Sequence, residues 1–172
     1  MEFNFFILKH FVFFLLLQAG CTSVTSKQHF YSYTRSGDLW RLPLAEPYEL
    51  ISPTNTPDAW FLILKPHPNL HPDYVNSGDE FQLSSIDSAG LLKTVIVLHS
   101  TNVYWPRLSG SYQSTLILDT TTHKVWLYPD QQGEKIRSRL IALNVPEIRL
   151  SPIEPIVSVF QDSLKLPDGW RR

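Results

Sequence analysis

The sequence predicts an α+β domain, a β-rich body of antiparallel strands followed by two C-terminal helices. Three observations predict it. Between residues 38 and 128, short runs rich in β-branched and aromatic side chains alternate with polar turn residues. The 13 prolines fall mostly between apolar stretches, as expected of a residue that has no N–H for a ladder. Beyond Glu134 the apolar spacing changes to that of a helix.

Taken in order, Asp38–Leu44 reads as a strand in which Pro43 suggests a sheet edge, and Tyr48–Ser52 as a short second strand. Ala59–Leu64 is a nearly continuous apolar run ended by Lys65-Pro66, the pattern of a strand covered on both faces. Residues 66–79, rich in Pro, Asn, Asp and Gly, read as a long loop. Phe81–Ile86 and Leu92–His99 are further strands with a turn at Ser88-Ala89-Gly90, and Thr101–Trp105 is another. The strongest local signal is a hairpin: Tyr112–Asp119 and Lys124–Tyr128 flank Thr120-Thr121-Thr122-His123, with Asp119 supplying local turn bonds.

The period then changes. Ile136, Leu140 and Leu143 recur at helical spacing between Glu134 and Leu143, with Lys135, Arg137 and Arg139 off that face, until Asn144 and Pro146 stop the helix. Glu147–Leu150 can return as a short strand. A second helix follows, with Ile156, Val159, Phe160 and Leu164 on one face. Its start is open between Ser151 as the cap of a capping box and Glu154 as the cap with Pro155 at the first helical position.

Ahead of this domain, residues 1–20 have the layout of a secretory signal: a weakly positive start, an apolar core from Phe11 to Leu17, and small residues before position 21. That core is far short of the roughly twenty residues a membrane-spanning helix needs. Cys21, the only cysteine, follows Ala19-Gly20 directly. The Leu15–Leu17 run with Ala19-Gly20-Cys21 resembles the lipobox of bacterial lipoproteins, although Gln18 stands where that pattern has an apolar residue. The resemblance covers about the first eighth of the chain and implies a diacylglyceryl group on the Cys21 thiol. Thr22 and Ser23 replace the Asp of inner-membrane lipoproteins, so it also implies anchoring at the outer membrane of a two-membrane cell. Residues 21–29 then serve as lipidated cysteine and tether, and 30–172 form a single globular domain. The chain has no Asn-x-Ser/Thr acceptor, in keeping with a bacterial source.

Few chemistries are offered by the rest. A net charge of −1 argues against a nucleic-acid partner. No Gly-x-Ser-x-Gly elbow, Ser-x-x-Lys pair or Gly-rich phosphate loop occurs, and one cysteine excludes a cysteine zinc site. His67, His71 and Asp73 could ligate zinc or nickel, but Pro66, Pro68 and Pro72 forbid the helix that would converge them. Asp79-Glu80 and Asp119 with Asp130 are carboxylate pairs with nothing to show a common cleft. Trp105 with Arg107, and Trp170 with Arg171, are candidate interface anchors. The expectation is a lipid-anchored, non-catalytic envelope protein that binds a protein partner, as an immunity-type inhibitor or an assembly subunit, with no cofactor beyond the lipid. The alternatives are a small metal-dependent hydrolase and a carbohydrate-binding module.

Overall fold

The computed structural model describes residues 30–56, 59–64, 81–105 and 110–170. Among them, nine consecutive strands pair antiparallel in chain order and divide into two sheets. The first holds β1 (Arg35–Ser36), β2 (Leu39–Ala45), β3 (Tyr48–Ser52), β4 (Phe61–Leu64) and β5 (Phe81–Leu83). The second holds β6 (Ile86–Leu92), β7 (Val95–Trp105), β8 (Gly110–Asp119) and β9 (Lys124–Pro129). Helix α1 (Gly133–Ala142) follows, then β10 (Ser151–Pro152), which pairs with the free side of β6, then helix α2 (Ile153–Ser163). The chain thus adopts the expected α+β architecture.

Strand periodicity explains the packing. Side chains alternate between faces along a strand, so Ile96 and Leu98 of β7, Leu116 and Leu118 of β8, and Val125 and Leu127 of β9 share one face. They form a single core with Leu42, Leu44, Leu50 and Leu62 of the first sheet. Helix α2 completes that core with Ile153, Ile156, Val157 and Phe160. The opposite parity, Val95, Val97 and Ile117 with Trp126 and Tyr128, packs under Ile136 and Leu140 of α1 and the stretch containing Leu143, Val145, Ile148 and Leu150. Burial on both faces accounts for the unbroken apolar runs Val95–Leu98 and Leu116–Leu118. Each fully buried side chain of this size contributes about 1.5–3 kcal/mol. Where the chain passes between sheets, Ile86 N–H donates to Trp60 O at 3.1 Å and Thr101 N–H to Ser85 O at 3.0 Å.

Several sequence expectations are corrected in detail. Gly90 does not turn the chain: it lies inside β6, and a Cβ there would stand 2.7 Å from the carbonyl oxygen of Arg149. Glycine is required by the close approach of the 148–150 stretch. The turn falls instead beyond Leu92, where Lys93 takes φ 55°, and Ser85 at φ 54° separates β5 from β6. Leu92–His99 and Thr101–Trp105 merge into the 11-residue β7, with an irregularity between Ser100 and Val103. Pro43 sits between strands, yet β1 reaches only Leu39 and Trp40, and the β2–β3 register shifts between Pro43 and Ala45. At such a shift a missing N–H is tolerated. Glu147–Leu150 is irregular, and the strand formed is Ser151–Pro152. Pro152 occupies the cap position of α2, without a side-chain cap bond, and Pro155 is its third residue. That position needs no intrahelical N–H donor. Val159 is 52% exposed, its expected place in the core taken by Val157.

Candidate functional site

The most concentrated polar chemistry among the described residues lies on the outer face of the second sheet. His99 has the parity of Val95 and Val97 and sits at the end of the apolar strip they begin. Its cross-strand neighbour is Thr115, which in turn pairs with Tyr128. Two carboxylates meet its ring. In β6 the register shifts between Ile86 and Ser88, which oppose Ser100 and His99, so Asp87 is the extra residue of a bulge. A bulge re-aims a side chain, and here the Asp87 carboxylate accepts from His99 Nδ1 at 2.7 Å. Pro129 ends β9, and the next residue, Asp130, accepts from His99 Nε2 at 2.9 Å. The remaining Asp130 oxygen accepts from Thr115 Oγ1 at 3.0 Å, and Ser88 Oγ donates to Asp87 at 2.9 Å.

An imidazole donates from both nitrogens only as the cation. Burial, the largest single influence on His99, works against that charge. The hydrogen bonds to Asp87 and Asp130, with the attraction of both carboxylates, outweigh it and raise the pKa above its ordinary value. The His99 side chain is 19% exposed, Asp87 46% and Asp130 34%. The cluster ties three strands at one end of the sheet. Both ring nitrogens are engaged by carboxylates, and among the described residues no group of three His, Cys, Asp or Glu is placed to hold a metal ion.

A second contact closes the two sheets together. Tyr48 of β3 meets His123, the left-handed residue (φ 56°) of the β8–β9 turn, through its Oη and the ring Nδ1. Burial first, then the charge of Asp119, raises the Tyr48 pKa and keeps its phenol protonated. Asp119 accepts from Thr121 N–H at 3.0 Å and from Thr122 Oγ1 at 2.6 Å, the turn bonding its sequence position suggests.

The third cluster fixes the start of the folded body. Arg41 of β2 is buried, paired with Glu49 through Nε at 2.6 Å and through Nη2. Its Nη1 donates to the carbonyls of Phe30 at 2.9 Å and Tyr33 at 3.2 Å, and both rings stack on the guanidinium, at 4.9 and 4.0 Å. One side chain thereby clamps residues 30–33 against the first sheet.

Few of the residues singled out from sequence can be placed. Cys21, His67, His71, Asp73, Asp79, Glu80, Arg107 and Arg171 lie outside the described residues. Trp105 ends β7 opposite Gly110. Trp170 is 4% exposed and belongs to the main core. Asp119 and Asp130 serve separate networks at opposite ends of the β8–β9 hairpin, about 20 Å apart at the rise of a strand. They share no cleft. The Asp87–His99–Asp130 cluster escaped sequence reasoning because its bulge and its register are invisible in a single chain; the sole local trace is a histidine interrupting the apolar run of β7. No protein-family model, curated protein or solved structure matches the chain.

Proposed function

We propose that this chain is a lipid-anchored, non-catalytic protein of the bacterial cell envelope, held at the outer membrane, whose folded body binds a protein partner as an immunity-type inhibitor or an assembly subunit. The observation that supports binding through the surface is the filled interior formed by the described residues. Leu42, Leu50 and Leu62 of the first sheet meet Leu98, Leu116 and Phe160 with 0% exposure each. Small ligands are held in concave, partly open chambers, and this core is packed with side chains instead. The leader and Cys21 provide the membrane address, since each acyl methylene buried in lipid contributes about 0.8 kcal/mol.

The test is in-cell cross-linking of the full-length protein, tagged at its C-terminus, in a two-membrane bacterium, with Cys21→Ser alongside. The expected result is an acyl mass on Cys21, fractionation with the outer membrane, and one partner retained in stoichiometric amount. Wild-type protein without acyl mass removes the anchor. An acylated protein that retains no stoichiometric partner removes the binding role.

A further inference from the structure

Resting on the proposed acylation of Cys21, we infer that the corner of the first sheet formed by Phe30, Tyr33, Arg35 and Trp40 lies against the phospholipid surface that holds the anchor. The Arg35 guanidinium meets lipid phosphates there, and the Trp40 indole sits at headgroup level.

Reach comes first. Phe30 follows Cys21 by nine residues. Whatever conformation they adopt, nine residues span no more than about 32 Å. A body of about 140 residues has a radius of gyration near 14 Å, hence a diameter of about 37 Å. The span is shorter than the body is wide, so Phe30 cannot be turned to the pole opposite the bilayer. Nor can Phe30 peel away to lengthen the leash without breaking the Arg41 clamp on its carbonyl and ring.

The chemistry of that corner suits a bilayer surface. Arg35 is exposed and stacks over the Trp40 ring at 4.1 Å, across the β1–β2 pairing that sets the two opposite each other. Trp40 is half-buried, one part against the core. Phe30 and Tyr33, also half-buried, stack on Arg41, the next residue of β2, whose side chain leaves the opposite face of the strand, so rings stand on both faces at this edge of the sheet. Aromatic side chains collect at membrane–water interfaces because one end is apolar and the other tolerates water. A guanidinium beside them offers paired donors to a phosphate. Asp38, exposed in the same β1–β2 turn, offsets the charge of Arg35. The contact is therefore interfacial, not an attraction of a basic patch to anionic lipid.

The test uses full-length acylated protein in vesicles of phosphatidylethanolamine and phosphatidylglycerol, with and without lipids brominated near the glycerol end of their acyl chains. Bromine quenches nearby tryptophan emission. Trp60 and Trp170 are 1% and 4% exposed, and the Trp126 ring is covered by Arg139 at 4.5 Å. The difference between wild type and Trp40→Phe isolates the one indole in question, and phenylalanine keeps a ring against the core. Bromine-dependent quenching should be measurably lower in Trp40→Phe than in wild type, Trp105 contributing equally to both, and Arg35→Glu, a surface change, should lower it as well. Equal quenching in wild type and Trp40→Phe overturns the inference. Intact mass of the same samples reads the anchor independently: acyl mass with equal quenching defeats the membrane-facing corner alone, whereas absent acyl mass defeats anchor and corner together.

Discussion

Replacing His99 by glutamine removes the charge that ties β6, β7 and the end of β9. The two bonds at stake are 2.7 Å to Asp87 and 2.9 Å to Asp130. A sheltered hydrogen bond to a charged group contributes about 1.5–3 kcal/mol, and an exposed ion pair about 0–1 kcal/mol. Asp130 is 34% exposed and braced by Thr115, so its bond falls between these limits, at about 1 kcal/mol. Asp87 is 46% exposed and adds about half of that. Together they give about 1.5 kcal/mol, close to a tenfold change in the folding equilibrium. The pH dependence follows from the direction of the shift. The folded His99 binds its proton more tightly than the unfolded chain, whose histidine titrates near pH 6.5. Its contribution is complete below about pH 6.5 and is lost as pH rises through the higher folded value. Urea unfolding of both proteins from about pH 5 to pH 9 should therefore show the wild-type advantage largest at the acid end, shrinking toward that of a single neutral hydrogen bond. An advantage that is flat across this range, or that grows with pH, refutes a charged His99 held between two carboxylates.

Three further substitutions probe the packing. Glu49→Gln leaves the Arg41 guanidinium, 1% exposed, without its counter-charge; the 29% exposure of Glu49 moderates the usual penalty of breaking a buried pair to about 2–3 kcal/mol, measurable by urea unfolding. Gly90→Ala puts a methyl against backbone at 2.7 Å, and should cost about 1–3 kcal/mol while speeding amide exchange at Ser151. Phe160→Ala should cost about 3–5 kcal/mol and Val159→Ala less than about 0.5, since the first side chain is fully buried and the second is 52% exposed; thermal melts that rank them the other way would displace α2 from the core.

The sequence made the layers readable because each rests on local physics. The polar turn Thr120–His123 between two β-branched arms forms the β8–β9 hairpin, and Ile136 and Leu140 at helical spacing mark α1 with its correct buried face. Sequence reasoning failed where distant backbone decides. Gly90 signalled a turn by type, while its actual constraint is a carbonyl that arrives from position 149. Val159 matched the helical stripe as well as Val157 did, and only the contact with β6 and the core chose between them. The candidate site was hardest of all. Asp87 and Asp130 reach His99 only because one strand carries an extra residue and another ends at a proline, and neither event has a pattern in composition or period.

The chain-order pairing of the nine strands bears on how the protein is made. Each strand from β2 to β5, and from β7 to β9, finds its partner immediately upstream, so a polypeptide emerging N-terminus first meets its neighbours in the order of synthesis or export. Among the described residues only the last stretch reverses that order, because Ser151–Pro152 and α2 must travel back to β6. Until they arrive, β6 remains a bare edge beside an incomplete core, the arrangement that recruits foreign strands. The segment from Ser151 onward is therefore a closing device, and a translation or translocation stall before Ser151 would deliver a chain with the β6 edge uncovered.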